Sequence, residues 1–194
     1  INLRDQSRVF LNAESEIQHP ENFGIDHRWV KLKGEAFFEI TKNGRPFRVI
    51  TSETEIKVLG TSFNVKEEED ELSVALVSGK VQVKDRNGNQ FELRPTEMLI
   101  LKDDGKMYKT VFDSLEIIGW KEKALVFNSN SIQEVRRKIE KWYAVEVRPK
   151  AVVSDDWIYS GVYHDESLEN VLKGIFITSG MKFSVVSQPQ LKHN

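Results

Sequence analysis

The 194-residue sequence contains no cysteine, which excludes disulfide bonds, thiol catalysis and cysteine-ligated metal sites. A basic excess is also missing, since 28 lysines and arginines stand against 30 aspartates and glutamates. Proteins that bind nucleic acids usually carry a clear surplus of positive charge, so no nucleic-acid partner is predicted. No apolar run approaches the roughly 18 residues of a membrane helix, because the longest clean stretches, such as residues 98–101, have only the length of a strand.

Histidines and catalytic motifs are similarly scarce. The four histidines, His19, His27, His164 and His193, show none of the close spacings that metal sites use. Neither a nucleophile elbow nor a glycine-rich phosphate loop precedes a predicted helix. The acidic run at residues 67–71 is typical of a solvated hairpin tip, which like charges keep extended. We therefore expect no enzymatic activity, no metal and no other cofactor.

Residues 1–116 are predicted to form an all-β domain. Apolar and polar residues alternate there in short, evenly spaced segments, a pattern typical of half-buried strands in a jelly-roll-like β-sandwich. Three dipeptides predict tight hairpin turns because their glycines accept left-handed backbone conformations: Asn43-Gly44, Asn87-Gly88 and Asp104-Gly105. The predicted strands are 8–11, 28–33, 36–40, 47–50, 55–59, 63–66, 72–78, 81–84, 90–93, 98–101 and 107–111.

Residues 120–194 show a different periodicity and predict a small β-α-β-β-α-β domain. Ser131, with Glu134 three residues later, forms a capping box that predicts the start of the first helix. Asp165 or Ser167 is expected to cap the second helix, and Gly180 to end it. Strands are expected at 125–127, 145–147, 158–163 and 183–185.

The two halves of this second domain superpose, with Phe127 falling on Tyr163 and Val135 on Val171. The matched positions are caps and core faces, which any strand–helix–strand unit would share. A true duplication and a chance likeness therefore stay equally open.

A row of basic side chains lies opposite the apolar face of the first predicted helix: Arg136, Arg137, Lys138 and Lys141. Such a row is typical of a solvated surface with ion pairs four residues apart, here Glu134–Lys138 and Arg136–Glu140. The alternative is a docking face for an acidic partner.

Three aromatic residues, Trp157, Tyr159 and Tyr163, share one side of the strand predicted at 158–163. If that side faces the core, the rings serve packing alone. If the strand lies at a sheet edge, its backbone could accept a further strand from a partner. All three residues are therefore candidates for partner binding.

FecR-type periplasmic domains carry a signature that this sequence resembles at Asp5-Gln6-Ser7-Arg8-Val9-Phe10-Leu11-Asn12-Ala13. Four further blocks follow in the family's order, at residues 28–40, 46–51, 58–65 and 74–81. Trp120, followed by 125–127 and 168–172, resembles the C-terminal domain of FecR proteins from the Bacteroidetes branch. That domain is similar to the short N-terminal domain of secretins and TonB-dependent transporters.

Two turns depart from the family pattern. Gln6 replaces the usual glycine of the Asp-Gly-Ser turn, and Thr96 replaces the glycine of Pro-Gly-Glu. A turn that requires positive φ at either position would be strained by these residues. The strands that normally precede the first block are absent, so Ile1 is expected to lie inside the β domain.

The resemblance implies the periplasmic sensor region of a single-pass inner-membrane anti-sigma factor, without enzymatic activity. A cytoplasmic segment outside this chain would bind an extracytoplasmic-function sigma factor, and only an N-terminal helix outside it would enter the membrane. The implied periplasmic partner is the signalling domain of a TonB-dependent outer-membrane transporter.

Two other functions are possible for a jelly-roll-like domain. A glycan-binding module could use Trp29 and Trp157 to stack on sugars, although burial is the more common fate of tryptophan. A metal-dependent enzyme would need two or three histidines on adjacent strands, and the histidine positions disfavour it.

Overall fold

The computed structural model describes residues 1–24, 27–150, 154 and 156–187. The chain divides into two units, 1–121 and 122–194. Of the histidines, His193 lies outside the described residues. Among the helices of the described residues, none is long and apolar enough to cross a membrane.

The described residues of unit 1 form twelve strands followed by a five-residue helix, α1 (Ser114–Ile118). The strands are β1 (Arg8–Leu11), β2 (Glu16–Gln18), β3 (Trp29–Lys33), β4 (Glu35–Glu39), β5 (Phe47–Ile50), β6 (Thr54–Val58), β7 (Ser62–Glu67), β8 (Glu71–Ser78), β9 (Val81–Asp85), β10 (Gln90–Leu93), β11 (Glu97–Lys102) and β12 (Met107–Val111). Every predicted strand is present, with ends that differ by at most one residue. The three-residue strand β2 was not predicted, because it is too short to show an alternating pattern.

Two six-stranded sheets face each other in unit 1, with strand orders β1-β4-β7-β8-β11-β12 and β10-β9-β6-β5-β3-β2. All neighbouring strands are antiparallel except β3 and β5. The two sheets enclose one apolar core, in which Phe38 stacks on Phe63 with ring centroids 5.0 Å apart. The predicted β-sandwich is therefore confirmed.

The glycine turns behave as the sequence predicts at two of three positions. Gly88 and Gly105 adopt φ of +87° and +78° and lie in the β9–β10 and β11–β12 hairpins. Gly44 also has a positive φ, +81°, but it connects β4 to β5, which belong to different sheets. The prediction of a hairpin there was wrong, because an Asn-Gly pair specifies a local turn and not the pairing of the strands around it.

A buried ion pair ties separate segments of unit 1 together. Arg28 Nε lies 2.6 Å from Asp5 Oδ2, and the two side chains are only 4% and 3% exposed. The same guanidinium donates to the carbonyl oxygens of Arg45 and Thr41. The other Asp5 oxygen accepts from the Ser7 backbone N–H at 2.9 Å, and Ser7 Oγ accepts from Thr41 N at 3.1 Å. This cluster, the Asp5–Arg28 clamp, joins three distant stretches of chain.

A second polar cluster surrounds the buried carboxylate of Glu35. It accepts from Asn12 Nδ2 at 2.7 Å and from Asn64 Nδ2 at 3.1 Å. The Glu35 backbone N–H donates to Ser15 Oγ, and a Cβ at Gly34 would lie only 2.6 Å from that oxygen. The polar residues of the family blocks are thus occupied in holding unit 1 together.

Gln6 and Thr96 adopt φ of +68° and +74°, so both departures from the glycine pattern fall where a left-handed residue is required. Backbone hydrogen bonds hold these turns, from Gln6 N to Leu3 O and from Thr96 N to Leu76 O. Side chains other than glycine are strained in this conformation, and the surrounding hydrogen bonds keep them there.

Unit 2 consists of β13 (Ala124–Ser131), α2 (Ile132–Tyr143), β14 (Glu146–Pro149), β15 (Ile158–His164), α3 (Leu168–Ser179) and β16 (Phe183–Ser187). This is the predicted β-α-β-β-α-β order. Strand β13 pairs with β15, and β14 with β16, as two antiparallel two-stranded sheets. Both helices contribute to one core through Val135, Ile139, Val171 and Ile175.

The helix ends in unit 2 follow from local side-chain chemistry. Ser131 and Glu134 form the predicted capping box of α2. Ser167, and not Asp165, caps α3 by accepting from Asn170 N. Gly180 ends α3 in a left-handed conformation, φ +70°, as C-terminal glycines commonly do.

We predict that Arg28→Met lowers the free energy of unfolding by about 3–5 kcal/mol, because it leaves the Asp5 carboxylate buried without its partner. Arg8→Met is the matched control. The Arg8 side chain is 60% exposed in its pair with Glu39, and loss of such a surface pair costs less than about 1 kcal/mol. Urea unfolding measures both variants. Equal effects would contradict a structural role for the clamp.

Candidate partner-binding site

The three candidate aromatic side chains lie on the core side of β15. The Trp157 ring stacks on Tyr159, with centroids 6.0 Å apart and planes 9° from parallel. Phe127 of β13 packs edge-on against both Tyr159 and Tyr163. Tyr159 is 6% exposed, and the other two rings are half-buried. The alternation of β15 therefore directs these rings into packing.

The two tyrosine hydroxyls are hydrogen-bonded to each other at 2.6 Å. Thr178 Oγ1 lies 3.4 Å from the Tyr159 hydroxyl, which ties the pair to α3. Burial, together with the hydrogen bond to Tyr159, raises the pKa of Tyr163. The Tyr163 phenol therefore stays neutral at ordinary pH, and the two hydroxyls act as polar tips of largely apolar rings.

The opposite face of β15 is open to solvent. Ile158 is 63% exposed and Val162 is 45% exposed. Val162 pairs with Val126 of β13, which is half-buried. Sequence reasoning concentrated on the aromatic residues and missed Ile158 and Val162, although the same two-residue period places them together on the other face.

The basic row lies along α2, as predicted, with Arg136 and Arg137 exposed and Lys141 half-buried. Arg136 Nε lies 3.5 Å from Glu140 Oε2, which confirms one predicted ion pair. The other Glu140 oxygen accepts from the Val147 backbone N–H at 3.0 Å. Glu140 thus orients Arg136 and also anchors the start of β14.

Two further charged residues of α2 hold its first turns. A hydrogen bond from the Ser131 backbone N–H lowers the pKa of Glu134, and a hydrogen bond from the Ser131 hydroxyl contributes the next largest effect in the same direction. Lys138 Nζ donates to Val126 O at 2.9 Å and to Asn130 Oδ1 at 2.8 Å. Lys138 lies one turn after Glu134 on α2. Through its two hydrogen bonds it also ties α2 to β13.

The structure gives little support to the other sites considered, which are the acidic run, a metal site and a sugar-stacking tryptophan. The acidic run forms the tip of the β7–β8 hairpin, as predicted, and borders a cavity of about 360 Å³ together with Asp85, Arg86 and Asp103. In the described ranges, no group of three histidine, aspartate or glutamate side chains is arranged to hold a metal ion. Trp29, a candidate for sugar stacking, lies half-buried on β3.

Comparison with known proteins assigns the chain to a family. The sequence model of the FecR protein matches residues 1–82, and the model of the FecR C-terminal region matches residues 124–190. Two crystal structures of proteins assigned as anti-sigma factors, both from Parabacteroides distasonis, are 32% identical to the chain and superpose on 96% of it. The chain belongs to the FecR family of anti-sigma factors.

The match to these two structures extends over both units. The superpositions cover 94% and 93% of the Parabacteroides chains, with TM-scores of 0.78 and 0.77. Among curated proteins, none matches the sequence. The family is regulatory, so the chain has a signalling role as an anti-sigma factor.

The tyrosine pair predicts an unusual effect of a helix substitution. Glycine to alanine inside a helix normally stabilises it by about 1 kcal/mol. At Gly174 a Cβ would lie 2.6 Å from the Tyr163 hydroxyl and 2.9 Å from its Cε1. We expect Gly174→Ala to lower the free energy of unfolding by about 1–3 kcal/mol through overpacking.

A double-mutant cycle with Tyr163→Phe isolates the cause of that loss. Removing the hydroxyl relieves the closest contact, so Gly174→Ala should cost less in the Tyr163→Phe background. Denaturant unfolding of the four proteins measures the coupling. A Gly174→Ala protein at least as stable as the parent would contradict the packing of Tyr163 against α3.

Proposed function

We propose that this chain is the periplasmic sensor region of a membrane-anchored anti-sigma factor. It would receive a signal from the signalling domain of a TonB-dependent outer-membrane transporter. A cytoplasmic segment outside the chain would hold the extracytoplasmic-function sigma factor. The observation that carries this proposal is the ordered match of both FecR models to the two units.

Unit 2 is the proposed docking unit. Exposed apolar side chains on β15 lie in the same unit as the basic row of α2, and interfaces commonly combine an apolar centre with a charged rim. Arg136, Arg137 and Lys141 would contact the partner directly. Trp157, Tyr159 and Tyr163 would contribute through the strand that they anchor, because their rings pack inward.

We call the passage of the signal from the transporter to the sigma factor the relay. The relay requires binding energy, and it requires no chemical reaction on this chain. A partner that prefers one conformation of the periplasmic region shifts the population toward it, by no more than its difference in affinity for the two states. The Asp5–Arg28 clamp of unit 1 suits a rigid scaffold for such a relay, since its hydrogen bonds join three distant stretches of chain.

A glycan-binding module is the alternative function. One of its two candidate rings, Trp157, already stacks on Tyr159, which argues against this alternative. A glycan-array screen that yields binding, together with no binding of the signalling domain, would favour it over the relay.

The test of the relay is calorimetric titration of the whole chain with the signalling domain of the transporter encoded beside it. We expect saturable 1:1 binding with a Kd of about 1 µM or tighter, near −8 kcal/mol. Absence of binding between two folded proteins would contradict the proposal.

Charge reversal in the basic row gives a residue-level version of this test. Arg137→Glu should weaken binding by about threefold to tenfold, because a rim charge mainly steers association. Arg148→Glu on β14, where the side chain is 65% exposed, is the control and should bind as the parent does. Equal effects of the two variants would remove the basic row from the docking site.

A further inference from the structure

Within the part of the chain that the structure describes, the sheet formed by β13 and β15 has two strands, so each strand has one edge without a neighbouring strand among these residues. The free edge of β13 is protected. An extra residue forms a bulge between Phe127 and Asn130, where Ser129 has a φ of +49°. Lys138 also occupies the carbonyl of Val126. Bulges and lysines are the usual means of preventing edge-to-edge pairing.

The free edge of β15 carries none of these protections. Its seven residues include no lysine and no proline, and the extra residue of the bulge is on β13. At about 3.3 Å per residue the strand extends for roughly 23 Å. Ser160 and Gly161 occupy its middle, so small side chains flank the backbone that a further strand would approach.

Exposed apolar surface accompanies this edge. Ile158 and Val162 project from the outer face of β15, 63% and 45% exposed. A strand added beside β15 would place its own side chains next to these two, and such cross-strand neighbours stabilise sheets. Backbone pairing supplies affinity in this type of recognition, and neighbouring side chains supply specificity.

Carboxylates lie at both ends of the strand. Asp156 precedes it, and the side chain of Ser154 lowers the pKa of Asp156 by hydrogen bonding. Asp165 and Glu166 follow it. Lys123 lies 3.1 Å from Asp165, and Glu166 accepts from Asn170 Nδ2.

These charges select among possible occupants. A second copy paired antiparallel about Gly161 would set Asp156 of one chain against Glu166 of the other at both ends. Like charges directly opposite each other destabilise a sheet. A partner strand with a basic residue at each end would instead be complementary in charge to the carboxylates at both ends of β15.

We propose that the free edge of β15 accepts an extended strand of the partner protein, with apolar or β-branched residues at its centre and lysine or arginine at both ends. This proposal deepens the docking role of unit 2 and rests on the proposed function for the identity of the partner. The strand addition itself concerns only residues 156–166 and can be tested without the transporter.

The first test uses a synthetic probe and the whole chain. The peptide has seven alternating valine and threonine residues, with two lysines at each end, and its control has glutamates in place of the lysines. We expect the lysine peptide to bind at least about fivefold tighter at low salt, with a difference that shrinks as salt screens the charges. Equal binding of the two peptides would overturn the charge assignment, and no binding of either would overturn the edge.

Val162→Lys is the decisive variant, because it sets a charge on the outer face beside the incoming strand. Val185→Lys is its matched control, since Val185 is 44% exposed and Val162 is 45% exposed, and it lies on β16 of the other sheet. Val162→Lys should weaken binding of the lysine peptide by about tenfold or more, in line with the effect of edge lysines. Val185→Lys should leave it unchanged, and the reverse order would overturn the proposal.

Neutral substitutions of the carboxylates that flank β15 test the charges without changing any residue of the strand. Asp156→Asn combined with Glu166→Gln keeps the size of both side chains and should remove most of the preference for lysine over glutamate ends. A preference that survives would overturn the assignment of these carboxylates. Circular dichroism confirms that each variant is folded.

The same variants separate this proposal from the proposed function. If the transporter signalling domain binds the parent and Val185→Lys but not Val162→Lys, both stand. If it binds all three equally, the edge proposal fails and the relay stands. If it binds none while the lysine peptide still distinguishes Val162→Lys from the parent, the edge proposal stands and the transporter is not the partner.

Discussion

The ion pair between Asp5 and Arg28 is the constraint on which unit 1 depends. Two charges that are almost fully removed from water need further hydrogen bonds to offset their loss of hydration. Arg28 donates two such bonds to carbonyl oxygens of the chain that connects β4 to β5, and Asp5 accepts one by closing its own turn. The clamp therefore fixes where the chain crosses from one sheet to the other.

This arrangement explains why the blocks shared with FecR proteins contain polar residues at all. Asp5, Arg28 and Glu35 belong to buried clusters, so in unit 1 the family signature describes how the sandwich is held together. The side chains of the proposed docking site lie instead in unit 2, on β15 and along α2. On this proposal stability and recognition depend on different residues, and substitutions can address each separately.

Much of the fold could be predicted because strands with one buried face impose a two-residue period on the sequence. Such local patterns do not predict contacts between residues that lie far apart in the sequence. Asn43-Gly44 specifies a turn but not which strands follow it in a sheet, and the partners of Arg28 lie up to 23 residues away in sequence. For the candidate site, the period placed Tyr159 and Tyr163 on one side of β15. Which side is core depends on Phe127 and α3, contacts that no local pattern encodes.

We propose that the partner docks on unit 2, at β15 and α2, while unit 1 serves as scaffold. An NMR titration of the ¹⁵N-labelled chain with the transporter signalling domain tests it directly, because each backbone amide reports its own surroundings. We expect the largest shift changes on residues 156–166 and on α2, with the amides of the Asp5–Arg28 clamp unchanged. Largest changes on the strands of unit 1, with β15 unaffected, would contradict it.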